Sequence, residues 1–151
     1  MKLFGHPVHP LMIHFPTALL PMELVFLLLY YYQGNASFGL GAFYCLAAAV
    51  LVGLLAMVTG LIDLLNVPKK NKSALSMAIY HAFLNGTIIL IYAVILYREW
   101  QVYPDLASTT MSAIIFRGIL ILLLFVGNYL GGTLIYKHHI GIKPQVPDAI
   151  N

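Results

Sequence analysis

Residues 38–65 read FGLGAFYCLAAAVLVGLLAMVTGLIDLL, and this stretch decides the class of fold. It has no formally charged side chain before Asp63 and is longer than the roughly 20 apolar residues that a helix needs to cross a bilayer. Small residues recur along it, which is typical of helices that pack closely in membranes. The stretch therefore predicts a transmembrane helix.

The rest of the chain has the same apolar character. Of its 151 residues, 61% are hydrophobic and 9% are charged, and the mean hydropathy is +0.88. A water-soluble domain of this size needs more polar side chains to cover its surface. Polar and proline-bearing breaks divide the chain into four apolar pieces. We predict one domain, residues 1–151, that is an all-α integral membrane four-helix bundle with spans at about 11–32, 38–65, 74–100 and 108–136.

The charged residues between the spans predict the orientation of the bundle. Four spans place the N-terminus, the middle loop and the C-terminal tail on one side of the membrane, with six lysines, whereas the other side has Arg98. The positive-inside rule therefore predicts that both termini are cytoplasmic. These lysines suit contact with anionic lipid headgroups and give no argument for nucleic acid binding. The six are Lys2, Lys69, Lys70, Lys72, Lys137 and Lys143.

Polar side chains within the apolar frame gather at the predicted cytoplasmic end. All six histidines fall there, and each polar group inside a span needs a partner because lipid offers none. His81 and Asn85 are four residues apart and share one helix face. The prolines of the HPVHP segment predict that residues 6 and 9 stay outside a helix and cap the bundle. We expect one polar layer built from four helices, with His6, His9, His14, Asp63, His81, Asn85, Tyr136, His138 and His139 as its candidate members.

Two other features of the spans leave alternatives open. Gly127 and Gly131 form a GxxxG pattern, which indicates close helix packing or room for the edge of a flat cofactor. Glu23 and Arg117 are intramembrane charges on opposite faces, and an ion pair or a neutral Glu23 are both compatible with their depth. Glu23 is also a candidate proton-relay group, although no second acid continues a path from it. Apart from these two residues, we expect an almost featureless outer half.

Four segments of the chain resemble the signature segments of a bacterial membrane protein family called domain of unknown function 2231. They are HPVHPLMIHFP at 6–16, TGLID at 59–63, HAFLN at 81–85 and GGTLIYKHHIGI at 131–142. The resemblance covers nearly the whole chain and implies a multi-pass protein of the bacterial cytoplasmic membrane. Relatives more often have glycine at the place of His139, so His138 is the better match for the family histidine. Some relatives are fused to redox domains, which implies a role close to electron transfer.

The polar layer suits three kinds of function. A b-type haem needs two imidazoles from facing helices, a slot lined by small residues and cations near its propionates. His81 with His14 or His138 is the candidate axial pair, Asp63, Asn85 and Tyr136 are the candidate supporting groups, and Lys69, Lys70, Lys72 and Lys137 are the candidate cations.

A non-haem zinc, iron or copper site is the second hypothesis, with ligands drawn from His6, His9, His14, His81, Asp63 and His138. The third is a structural or accessory subunit without a cofactor. The single cysteine, Cys45, excludes an intramolecular disulfide and a cysteine-ligated cluster. No nucleophile–base arrangement suggests hydrolysis. We therefore predict a subunit without catalytic activity of its own that holds one b-type haem, or alternatively a metal ion, through the histidines at the cytoplasmic end. It is expected to act in electron transfer with other membrane subunits or a redox partner.

Overall fold

The structure is a computed structural model that describes residues 2–3, 6–104, 109–138 and 140. The side chains of Lys2 and His6 and the residues His139 and Lys143 lie outside this description. A short antiparallel strand pair precedes the helices. The elements are β1 (Lys2–Leu3), β2 (His6–Pro7), α1 (Val8–Met12), α2 (His14–Gln33), α3 (Ala36–Leu65), α4 (Lys72–Trp100) and α5 (Met111–Tyr136).

The four predicted spans are confirmed by helices that are long and apolar enough to cross a membrane. The first of them combines α1 and α2, and α3, α4 and α5 are the other three. Short connections make sequential helices antiparallel, so the N-terminus, the α3–α4 turn and the end of α5 lie at one end of the bundle. We call it the histidine end, and the opposite end, where α4 finishes, the acid end. Which end faces the cytoplasm stays a prediction.

Side-chain caps fix the starts of α3, α4 and α5. At α3 the N-cap is Asn35, whose side chain accepts a hydrogen bond from the backbone N–H of Ser37 at 3.0 Å. Ser37, whose hydroxyl group also suits an N-cap, lies inside the helix. Asn71 and Thr110 cap α4 and α5 in the same manner. Each cap satisfies a backbone donor that a helix start leaves without a partner.

The prediction that His9 stays outside a helix is wrong. His9 and Pro10 belong to α1, a helix of five residues, while His6 is extended in β2 as predicted. Proline is tolerated in the first turn of a helix because the N–H groups there have no intrahelical acceptor. The short α1 packs against the end of α3 and so brings His9 into the bundle.

The core lies between all four long helices. Its largest fully buried apolar side chains are Tyr92, Leu20, Leu46 and Ile88. Gly53 allows α3 and α4 to approach each other closely, because a Cβ at this position would lie 2.7 Å from a methyl group of Ile89 in α4. This contact is the kind of small-residue packing that the composition of α3 predicts.

The acid end is not featureless, which corrects the sequence-based expectation. Arg117 of α5 lies 2.7 Å from Glu23 of α2 and also pairs with Glu99 of α4. Side-chain length explains the contact, because the guanidinium of Arg117 reaches across the bundle to the side chain of Glu23 near the middle of α2. The sequence analysis did not single out Glu99, since it is close to Arg98 and Trp100 in a stretch that resembles an ordinary helix end.

Candidate functional site

His81 lies in α4 at the histidine end of the bundle and contacts α5. Its Nδ1 is 2.9 Å from the backbone oxygen of Gly127. The ring lies directly over Gly131, where an added Cβ would be 2.7 Å from Cε1 of His81. Side chains essentially never approach so closely, so glycine at this position is what admits the imidazole.

His9 makes the same contacts with α3. Its Nδ1 is 2.8 Å from the backbone oxygen of Ala56, and a Cβ on Gly60 would be 2.7 Å from its Cε1. In both cases a carbonyl acceptor is followed, four residues later, by a glycine in contact with the ring. We call each arrangement a carbonyl–glycine site. In each site about one helical turn separates the residue with the carbonyl acceptor from the glycine, so both lie on one face of the helix.

The carbonyl contacts show which ring nitrogen of each imidazole donates a hydrogen bond. A backbone carbonyl only accepts hydrogen bonds, so Nδ1 of His9 and of His81 donates its proton to it. A neutral imidazole then has its lone pair on Nε2, which is the tautomer that binds metal ions in many proteins. The two ring centroids are 6.0 Å apart, with an angle of 85° between the ring planes.

Asn85 supports His81 from one turn further along α4. Its Nδ2 donates a hydrogen bond to the backbone oxygen of His81 at 3.0 Å and lies 3.1 Å from the Nδ1 atom of the same residue. The amide also fills the space above Gly127, where a Cβ would overlap it. Oδ1 of Asn85 is buried and has no hydrogen-bond partner within the described part of the chain.

The glycines of α5 therefore serve packing in this structure. The sequence leaves open whether Gly127 and Gly131 pack against a helix or leave room for a flat cofactor. Asn85 covers the first and His81 covers the second. The space that a porphyrin edge was expected to use is filled by these two side chains.

The other predicted site residues are distributed around the same end of the bundle. His14 is exposed, and so is Tyr136, with 82% of its surface accessible. Asp63 is half-buried. His138 is half-buried as well, and its Nε2 is buried without a hydrogen-bond partner among the described residues. The structure thus brings His9, His81 and Asn85 together, and the ring that His81 meets is His9 rather than His14.

Two further properties bear on a metal or haem. Among the described residues, no three His, Cys, Asp or Glu side chains are close enough to form a metal site by themselves. A metal held by His9 and His81 would need its further ligands from elsewhere. The lysines predicted to meet haem propionates are exposed and belong to the histidine end: Lys69, Lys70, Lys72 and Lys137.

Sequence reasoning missed the partner of His81 and the carbonyl–glycine site of α3. Gly60 is one of the small residues that recur along α3, and the sequence gives it no link to a histidine. The sequence does contain a signal for this site. Ala56 and Gly60, near the end of α3, have the same four-residue spacing as Gly127 and Gly131, near the end of α5. The same four-residue spacing therefore occurs at both carbonyl–glycine sites.

The fold and this site define a polytopic four-helix membrane protein with a paired-histidine end. The chain belongs to the family described as "Predicted membrane protein (DUF2231)", which matches residues 5–144 and confirms the resemblance seen in the sequence. None of the curated proteins and none of the solved structures compared with the chain matches it. The family description establishes a membrane protein and no activity.

Proposed function

We propose that this protein is a membrane-embedded metal-binding subunit in which His9 and His81 together bind one transition-metal ion. The observation that carries the proposal is the pair of carbonyl–glycine sites. They hold two imidazoles that each donate a hydrogen bond from Nδ1, with their ring centroids 6.0 Å apart. Proteins orient metal-binding histidines by a hydrogen bond from the other ring nitrogen.

The spacing of the rings is compatible with one shared ion. An imidazole nitrogen binds a metal at about 2.0–2.1 Å, so two rings on opposite sides of one ion have centroids on the order of 6 Å apart. Neutral imidazole suits copper, zinc, iron and nickel. Histidine pairs that only connect helices need no matching tautomers and no matching glycines, which favours binding over a purely structural role.

A b-type haem is the second candidate, because haem iron also takes two axial imidazoles. The separation of His9 and His81 suits this ligation, and exposed lysines at the same end provide cations for the propionates. A porphyrin would require rearrangement, since the rings now contact Gly60 and Gly131. A hydrated ion needs less movement, and for this reason we place it first.

The role that follows is electron transfer or support of a redox partner within a larger membrane assembly. Copper and iron with imidazole ligands change oxidation state within protein sites. The site lies near one surface of the bundle, within reach of a partner on that side. One redox centre at one end does not carry electrons across a membrane, so a partner subunit would supply the rest of the path.

The test is metal and haem titration of the detergent-purified protein. Cu²⁺, Co²⁺ and Zn²⁺ are added to metal-free protein, and haem is added to a separate sample while its optical spectrum is recorded. The variants are His9→Ala and His81→Ala, and His14→Ala is the matched control because His14 is exposed and takes no part in the pair.

The expected result is one equivalent of bound metal that is lost in both test variants and kept in the control. A Soret band with the same dependence on His9 and His81 would assign the site to haem. Protein that binds neither ligand would overturn both candidates and leave a structural role. Binding that persists in the two test variants would place the metal elsewhere in the chain.

A further inference from the structure

Among the described residues, two acidic side chains and one arginine meet in the interior of the acid end of the bundle. Arg117 of α5 lies 2.7 Å from Glu23 of α2 and also pairs with Glu99 of α4. Glu23 is completely buried and Arg117 is 6% exposed. The hydroxyl group of Tyr92 lies beside them and donates a hydrogen bond to the backbone oxygen of Arg117 at 3.3 Å. We call Glu23, Glu99 and Arg117 the acid-end triad.

The charges of the triad do not balance. Two carboxylates and one guanidinium carry a net charge of −1 when all three are ionised. An unbalanced charge is strongly disfavoured within the apolar region of a membrane, and two carboxyl groups that share one site do not both ionise readily. Binding one proton makes the triad neutral.

Hydrogen bonding indicates where that proton belongs. Both carboxyl oxygens of Glu23 are buried without a hydrogen bond of good geometry to any described group, although one of them is close to Arg117. Glu99 is better placed, since it makes a direct hydrogen bond to the guanidinium and is 23% exposed. Glu99 is therefore better placed to be the ionised partner of Arg117, and Glu23 is better placed to carry the proton.

We propose that the acid-end triad is a proton-binding site, in which Glu23 holds one proton that exchanges with water through Glu99. In the binding step a hydronium ion transfers its proton to a carboxylate, which leaves water and a neutral carboxylic acid. Glu99 is one residue from the end of α4, so its partly exposed carboxyl group connects the buried Glu23 to the membrane surface. This site is separate from the histidine pair and does not depend on a metal.

The groups that face Glu23 come from all the other long helices. They are Glu99 and Tyr92 of α4, Arg117 of α5 and, within electrostatic range on α3, the thiol of Cys45. Arg117 supplies the only positive charge among these groups. Replacing one acid by its amide removes the excess negative charge, so the remaining carboxylate is matched by the guanidinium and needs no proton.

The experiment is infrared spectroscopy of the purified protein in lipid, recorded in H₂O and in D₂O. A protonated carboxyl group in apolar surroundings has a C=O band that is separate from the carboxylate bands. We expect this band in the wild-type protein at pH 7, and a shift to lower frequency in D₂O because the proton exchanges. It should be absent in Glu23→Gln and also in Glu99→Gln, although the second variant keeps Glu23.

Each outcome decides a different part of the proposal. A wild-type spectrum without the band at pH 7 would overturn it, whether or not the variants fold. A band that stays unshifted in D₂O would refute exchange with water. A band that persists unchanged in Glu99→Gln, in protein with wild-type helix content by circular dichroism, would refute the sharing of one proton by the two acids.

Discussion

Alanine at Gly131 should leave the bundle less stable than alanine at the adjacent Gly132. A Cβ at Gly131 would lie 2.7 Å from Cε1 and 3.0 Å from Nδ1 of His81, so the imidazole must move. At Gly132 nothing lies within 4 Å of the added atom. The two variants differ by one position in the same helix, which makes Gly132→Ala a matched control.

The comparison isolates the contact with the imidazole. Both substitutions gain the same helix propensity, about 1 kcal/mol for glycine to alanine. Forcing an extra methyl group into a filled site costs about 1–3 kcal/mol. We therefore expect Gly131→Ala to have a free energy of unfolding about 1–3 kcal/mol lower than that of Gly132→Ala.

Reversible unfolding in mixed detergent–SDS micelles, followed by circular dichroism, measures this difference. Metal titration of the same samples provides a second readout, because displacing His81 should weaken binding in Gly131→Ala alone. Equal stability and equal binding in the two variants would refute the packing of His81 on Gly131.

Three further predictions concern the rest of the bundle. Arg117→Leu leaves buried acids without their cation, and we expect the free energy of unfolding to fall by about 3–5 kcal/mol in the same micelle assay; a loss below 1 kcal/mol would contradict the ion pairing. Asn128→Ala removes the 3.0 Å hydrogen bond from Asn128 to Thr17 between α5 and α2, and should cost about 0.6 kcal/mol. The orientation of the bundle in the membrane can be tested with Lys70→Cys and Gln101→Cys, each made in a Cys45→Ser background. A membrane-impermeant maleimide added to intact cells should label position 101 and not position 70. The reverse pattern would invert the predicted topology.

Much of the fold was predictable because the signals are local. Long apolar stretches and turn residues such as Gly34 and Pro68 determine where spans begin and end, and neither depends on which helices meet. Gly34 ends α2 in the left-handed conformation, with a φ of 66°, which glycine adopts without steric cost. Errors occurred where a local rule has two outcomes. Pro10 is an example, because proline is disfavoured in the interior of a helix but is tolerated in its first turn.

The site was only partly predictable because side-chain contacts depend on how the helices pack. The concentration of histidines at one end and the shared face of His81 and Asn85 are visible in the sequence. The choice of His9 rather than His14 as the neighbour of His81 depends on the path of α1 across α3. Likewise, the meeting of Glu99 with Arg117 depends on the distance between α4 and α5, which no spacing within one helix reveals.

The most direct test of the central claim is pulsed electron paramagnetic resonance of the protein loaded with one equivalent of Cu²⁺. Couplings from the remote nitrogens count the imidazoles that bind the ion. The proposed site predicts two coordinated imidazoles in the wild-type protein and in His14→Ala, and the loss of this two-imidazole signal in His9→Ala and in His81→Ala. A copper signal without imidazole nitrogens, or one that is the same in all four proteins, would contradict the assignment of His9 and His81 as a metal-binding pair.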